Sequence, residues 1–329
     1  MAGGASCIDG LRGRHKGLAM SNPPFRRLLV VGADSPLGHR VTELLLRIGD
    51  VSVTAGSPNP DQLADLVARG AQICRVDVDD PDSLQTAFGG VQRLLLVADD
   101  GAGTAGLRRR QCETVAEAAV GARLEHVVWV SEASSELGSP LTEDAQEVNP
   151  AIEASGIPCT FLRLNRYAES LFARLSLALR SGWWLSSAGE ARVAYVARDD
   201  AARAGAAALC ARTAVGQRVD ITGPAALTSA EVVALTNSIF GSRIELVPMD
   251  DGTFSEALAA AGMMQSEAER MLAVERGARA GLEGRVSGAV EYLTGRAPRG
   301  LAGVLLEHRM EILLASRSGG RFVSPGLRR

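Results

Sequence analysis

The sequence predicts an α/β fold in which a doubly wound, mostly parallel sheet is followed by a smaller α+β portion. Three observations predict it. Between Leu28 and Leu164, six apolar, β-rich runs alternate with segments of helical period. The stretch from Leu28 to Leu46, LLVVGADSPLGHRVTELLL, sets a glycine-bounded turn between a strand and a helix. Beyond about Asn165 the alternation stops, and shorter strands mix with helices.

Taken in order, the first unit is followed by a strand from Val51 to Ala55, ended by Gly56-Ser57-Pro58. Asn59 is expected to cap a helix that runs to about Arg69 and stops at Gly70. A third strand, Gln72 to Val76, leads through Asp77-Val78-Asp79-Asp80-Pro81 into a short helix ending at Phe88. Val91 to Val97 is strongly apolar, with Leu94 to Val97 uninterrupted, as suits a strand buried on both faces. A glycine-containing loop, Asp99 to Gly103, precedes a helix from about Thr104 to Ala122. The fifth strand, His126 to Val130, ends in Ser131. Helix material is expected from about Leu141 to Ala154, and Cys159 to Leu164 is the sixth strand. In the later portion, Arg192 to Val196 and Arg218 to Ile221 read as strands, and Asp200 to Arg212 and Ser229 to Ile239 as helices. From about Thr253 to Leu314 the chain is mainly helical. The domain reading is therefore 1–25 as a disordered extension, 26–164 as the doubly wound domain, 165–314 as the smaller substrate-binding portion covering its crevice, and 315–329 as a basic flexible tail.

Composition narrows the function. A net charge of −3 and a pI near 5.9 give no general attraction to nucleic acid or an anionic membrane. No run approaches bilayer-spanning length, and the first 25 residues hold no apolar signal core. The five cysteines are scattered and never form a CxxC pair, which points to a reducing compartment and a cytoplasmic location. His39, His126 and His308 have no ligand spacing, so no metal site is expected. Pro81 makes a helix start of the acidic run Asp77 to Asp82. Lys16 is the only lysine, which removes any mechanism that needs a lysine base or Schiff-base amine in the folded part.

The turn after the first strand carries the chemistry. Gly32 permits the sharp turn, Gly38 lets the helix pack closely on the strand, and the amides and positive dipole end at the helix start attract a diphosphate. Ser35 stands where a glycine usually allows the closest approach, and Asp34 adds a carboxylate that competes for the same amides. On this reading Ser35→Gly relieves crowding and tightens dinucleotide binding.

Several segments together resemble the NmrA-like branch of the atypical short-chain dehydrogenase/reductase family, which includes quinone and triphenylmethane-dye reductases. GADSPLG, Gly32 to Gly38, is similar to its GATGxLG turn. Asp77, the run Leu94 to Ala98 and Ser131 fall in register. SGIPCTFLRLNRYAESL, Ser155 to Leu171, is similar to its SGxxxTxLRxxxYxEN stretch, with Arg163, Tyr167 and Glu169 in place, and Arg198, Asp200 and Gly223 follow in order.

The resemblance implies a Rossmann-type fold and NAD(P)H as cofactor. The diphosphate would lie over Gly32, Ala33, Asp34, Ser35, Pro36, Leu37 and Gly38. Gly56 and Ser57 follow the second strand, and Asp77 with Val78 the third, the adenine lying by Asp77. Val97, Ala98, Asp99, Ser131 and Leu164 complete the cofactor set, with the nicotinamide near Ala98, Ser131 and Leu164. Asn165 and Tyr167 are the implied substrate-pocket residues, and no catalytic residue is assigned.

Gly56-Ser57 offers neither an arginine for a 2′-phosphate nor a carboxylate for a ribose diol, so the choice between NADPH and NADH stays open. Arg40 and Arg75 are the nearest cations, and for each a plain surface role weighs more. The implied activity is hydride transfer to a quinone-like or other small electrophilic acceptor, which asks mainly for orientation and exclusion of water. The alternatives are a non-catalytic NAD(P)-binding redox sensor acting through a protein partner, and a fold that has lost both functions. Neither a homodimer nor a monomer is specified.

Overall fold

The computed structural model describes residues 26–97, 105–132, 154–211 and 218–318. The elements begin with β1 (Arg26–Val31), α1 (Pro36–Leu45), β2 (Val51–Ser57), α2 (Ala64–Ala68), β3 (Gln72–Arg75), α3 (Pro81–Phe88), β4 (Arg93–Val97), α4 (Ala105–Gly121), β5 (His126–Glu132) and β6 (Cys159–Leu164). There follow α5 (Phe172–Ser181), β7 (Trp183–Ser186), α6 (Arg198–Cys210), β8 (Arg218–Ile221), α7 (Ser229–Phe240) and β9 (Glu245–Pro248). The chain continues through α8 (Asp251–Ala260), α9 (Gln265–Arg279), α10 (Ala289–Thr294), α11 (Leu301–Glu307) and α12 (Arg309–Ser318). The readings for 1–25, Asp99 to Gly103 and Leu141 to Ala154 lie outside the described residues.

Two compact units divide the chain. The first runs to Leu164 and recovers Arg198–Ile221 and Gly288–Ala297; the second holds Asn165–Ala197, Thr222–Ser287 and the chain from Pro298. A single cut after Leu164 therefore misassigns α6, β8 and α10, which return to the first unit. The reading of a tail from 315 also starts too early, because α12 continues to Ser318 and contains Arg317.

The first unit is a seven-stranded sheet in the order β3-β2-β1-β4-β5-β6-β8, parallel at every pairing. β4 shows why both faces must be covered. Its Leu94 and Leu96 join Leu29, Leu84, Phe88, Val115 and Ala119 in one buried cluster, under α3 and α4. Leu95 points to the other face, toward α6: a Cβ at Gly205 would lie 3.3 Å from Leu95 Cδ1 and 3.4 Å from Val41 Cγ2. The small residues of α6, Ala201, Ala202, Ala204 and Ala206 to Ala208, are all buried, and their size lets this helix approach closely. Its C-terminal carbonyls are held by arginines: Arg93 Nη1 donates to Leu209 O at 2.7 Å and to Ala211 O, and Arg26 Nη1 donates to Cys210 O at 3.1 Å. Neighbouring the guanidinium of Arg93, His126 is fully buried. Desolvation and the Arg93 charge push its pKa down to about 4, and its Nε2 lies 3.0 Å from Thr160 Oγ1.

The second unit contains a feature absent from the sequence reading, a parallel two-stranded sheet of β7 and β9. Its core gathers Leu171, Leu175, Trp184, Val232, Leu301, Val304, Leu305 and Ile312. Trp184 is 2% exposed, with the Arg174 guanidinium 4.1 Å from its ring centroid, so it is a core residue. Glu275, on α9, accepts from Arg174 Nη1 at 2.6 Å, Ser186 Oγ at 2.6 Å, and the amides of Ser187 and Ala188 at 2.9 and 2.8 Å. Burial opposes its charge, but the Arg174 cation and these donors prevail and hold the carboxyl below its ordinary range.

The segment Arg192 to Val196, expected as a strand, forms only isolated bridges. Its backbone bonds go to three different places: Val193 N to Leu227 O, Ala194 N to Glu283 O, and Val196 N to Arg166 O. No single neighbour runs beside it long enough to make a ladder.

Candidate nucleotide-binding site

Because every strand of the first unit runs the same way, the ends of β1 to β6 share one edge of the sheet, and β1 and β4 flank the point where strand order reverses. Gly32, Gly56 to Ser57, Asp77, Val97, Ser131 and Leu164 all stand at that edge. Ala98 and Asp99 lie outside the described residues.

The loop from β1 to α1 is anchored at both ends. Gly56 O accepts from the amides of Gly32 and Ala33 at 3.1 and 3.0 Å, and Gly32 O accepts from Ser35 N at 3.1 Å. Gly32 has φ +78°, and a Cβ there would lie 3.0 Å from Val97 O. At Gly38 a Cβ would fall 2.1 Å from Gly32 O and 2.8 Å from Gly32 C, so only glycine lets the helix start this close to the strand end. At Gly56 a Cβ would meet Val76 Cγ2 at 2.6 Å.

Ser35 does not crowd the space above the loop. Its Oγ turns inward, donating to Gly32 O at 2.7 Å and accepting from Gly38 N at 3.0 Å, which makes it the N-cap of α1. The exposed Asp34 carboxylate takes no bond from the loop amides, contrary to the expected competition. Pro36 lacks an N–H. The amides of Asp34 and Leu37 meet no acceptor among the described residues and remain for an anion at the head of a ten-residue helix.

Asp77 is half-buried. Its Oδ1 accepts from Asp79 N at 3.1 Å, and its Oδ2 lies 3.3 Å from Arg75 Nη2. Val78 packs on the core. The acidic run is a helix start as read: Asp80 accepts from the amides of Asp82 and Ser83, with Pro81 in the first turn. Ser131 falls within β5, one residue beyond the expected strand end, opposite Arg163 of β6. Leu164 is buried.

Neither arginine weighed as a phosphate partner is held out for one. Arg40 bonds Glu43 at 2.6 Å and Asp199 at 2.7 Å, and Arg75 bonds Asp80 at 2.9 Å as well as Asp77.

Of the two implied substrate residues, both in the second unit, Asn165 is committed elsewhere. It is 3% exposed, donates Nδ2 to Glu283 O at 2.8 Å and accepts from Arg166 N at 2.8 Å. Tyr167 is half-buried and bridges Val196. Asn59, read as a helix cap, makes no side-chain cap bond: the segment starts as a 3₁₀ turn, Pro60–Leu63, and becomes α-helical only at Ala64. Among the described residues no three His, Cys, Asp or Glu side chains gather as metal ligands, and no helix is long and apolar enough to cross a membrane.

Comparison with known proteins agrees with this geometry. A family model described as NAD(P)H-binding matches residues 32–210. Quinone oxidoreductase 2 of Escherichia coli (strain K12) is 28% identical over 258 residues, 77% of this chain and 88% of its own. An NAD(P)H azoreductase of Xenophilus azovorans is 26% identical over 250 residues, covering 74% of this chain and 84% of its own. Among solved structures, an NADPH-dependent quinone oxidoreductase from Escherichia coli, complexed with NADPH, superposes with a TM-score of 0.79 at 26% identity. It covers 86% of this chain and 99% of its own. The family-model match takes in the turn and helix start that leave two amides for an anion, and the chain belongs to the NAD(P)H-binding family, in its NmrA-like branch.

Proposed function

We propose that this chain is an NAD(P)H-dependent oxidoreductase acting on quinone-like or other small electrophilic acceptors. The observation that carries the reading is the loop at the head of α1, fixed by Gly56 O, with the Asp34 and Leu37 amides left for a diphosphate. The loop depends on Gly38, since a Cβ there would collide with the Gly32 backbone and push the helix start off the strand end. When bound, the cofactor supplies the hydride.

The chain's own part is to hold and orient. The helix start binds the diphosphate, and the half-buried Asp77 borders the adenine. Val97, Ser131 and Leu164, at the ends of β4 to β6, line the position of the nicotinamide. Tyr167 is the residue proposed to face the acceptor, while Asn165 supports the backbone around it. After hydride transfer a quinone needs one further proton, which solvent can supply, so the chemistry requires no lysine, and Lys16 is the only one in the chain. The relatives' names, a quinone oxidoreductase and an azoreductase, support turnover over a purely signalling role.

The test is titration with NADH and NADPH, followed by consumption of the reduced nucleotide with a panel of small quinones and azo dyes. Saturable binding with acceptor-dependent oxidation is expected. Binding of reduced and oxidised forms without turnover on any acceptor would favour the sensor reading instead.

A further inference from the structure

We infer that the chain selects NADH over NADPH, with Asn59 as the residue that reads the adenosine ribose; this rests on the cofactor reading above. In a doubly wound sheet the ribose lies at the carboxyl end of β2, about 20 residues beyond the first glycine. There a polar side chain takes the 2′-hydroxyl or an arginine takes the 2′-phosphate. In this chain that end is Gly56-Ser57-Pro58-Asn59-Pro60.

Each position narrows the answer. Gly56 has no room for a side chain, because Val76 Cγ2 would stand 2.6 Å from its Cβ. Ser57 is fully buried, and its Oγ accepts from Asn59 N at 3.0 Å. Pro58 and Pro60 carry no polar group. Asn59 is exposed, and its amide group makes no hydrogen bond among the described residues. A neutral amide pairs with hydroxyls as donor and acceptor but has no charge to set against a phosphate monoester, which carries about −1.5 to −2 at neutral pH.

Three arginines of this half of the sheet are already matched among the described residues. Arg69 pairs with Glu43 at 2.6 Å, Arg40 with Glu43 and Asp199, and Arg75 with Asp77 and Asp80, while the His39 ring lies 2.8 Å from Asp65. Arg47 follows the far end of α1. The next charged side chains after Asn59 are the carboxylates of Asp61 and Asp65. A 2′-phosphate would therefore enter a neutral-to-negative surface, whereas a diol meets a group built for it.

The experiment is fluorescence titration of the full chain with NADH and with NADPH, for the natural sequence and three variants. NADH should bind at least about tenfold more tightly than NADPH. Asn59→Ala should weaken NADH several-fold and leave NADPH unchanged. Asn59→Arg, at an exposed position whose side chain caps nothing, should raise NADPH affinity and bring the ratio to unity or beyond. Arg75→Gln should leave the ratio where it was.

Equal or tighter NADPH binding by the natural sequence overturns the selectivity. Loss of NADPH affinity in Arg75→Gln overturns it too, since Arg75 would then be leaving its carboxylates for the phosphate. Unchanged NADH affinity in Asn59→Ala overturns the role of that residue. Failure of both nucleotides to saturate is a separate result, which removes the cofactor reading itself.

Discussion

Gly38→Ala is the sharpest perturbation of the nucleotide loop. The added methyl would sit 2.1 Å from Gly32 O, 2.8 Å from Gly32 C and 3.1 Å from Ala33 Cα, all backbone atoms that no rotamer change can move aside. To open the first contact merely to 3.0 Å, the helix start and the loop must part by about 1 Å. Such a shift stretches the Ser35 Oγ to Gly38 N bond beyond hydrogen-bonding range and tilts the Asp34 and Leu37 amides away from their common target. Hydrogen bonds to a charged group contribute about 1.5–3 kcal/mol each, so misdirecting two of them costs about 3–6 kcal/mol, at least a hundredfold in Kd. Backbone strain from overpacking adds a folding cost of about 1–3 kcal/mol. The assay is nucleotide titration alongside thermal unfolding. Gly303→Ala serves as the control, because a Cβ there meets nothing within 4 Å. A Gly38→Ala protein that binds NADH within threefold of the natural chain would show that the loop does not hold the diphosphate, and the assignment of the site would fall with it.

The remaining predictions concern the cap, the buried histidine and the charge network of the second unit. Ser35→Ala should destabilise by about 1 kcal/mol in urea unfolding through loss of the N-cap, and Ser35→Gly by only a few tenths. Since the hydroxyl faces inward, Ser35→Gly should change Kd by less than about threefold, in place of the tightening expected from sequence. His126 is neutral when folded, with its pKa near 4, but takes up a proton below about 6.5 when unfolded. The unfolded state thus binds more protons as pH falls from about 6.5 to about 4, and roughly 3 kcal/mol of stability should be lost across that window. His126→Gln should flatten that part of a plot of unfolding free energy against pH; an unchanged slope would exclude His126 as its source. Glu275→Ala strands Arg174, Ser186 and two amides without their acceptor, and should cost about 3–5 kcal/mol. A shift in chemical denaturation below 1 kcal/mol would show that water replaces the carboxylate.

The parts legible in the sequence are those decided within one turn of chain. Gly32, Pro36 and Gly38 impose the strand-turn-helix at β1 and α1 locally, and the apolar run of β4 declares burial on both faces by composition alone. The acidic run before α3 announces its cap in the same way, through Asp80 and Pro81. What the sequence could not show depends on partners far along the chain. Asn165 looks like a pocket residue until Glu283, 118 positions later, takes its amide. α6 and β8 read as members of the later portion because nothing local records that alanines at 201 to 208 fit against Leu95 and Val41, or that Arg93 and Arg26 wait for the carbonyls at the helix end.

The same division explains why the cofactor class was readable and its variety was not. Binding a diphosphate requires only free amides at a helix start, a property of seven consecutive residues. Distinguishing a 2′-phosphate from a 2′-hydroxyl requires knowing which cations are spent, and that accounting runs through Glu43, Asp199, Asp77 and Asp80, on other segments. Once those pairs are formed, a free Asn59 beside a glycine with no room for a side chain turns an open choice into a specific expectation.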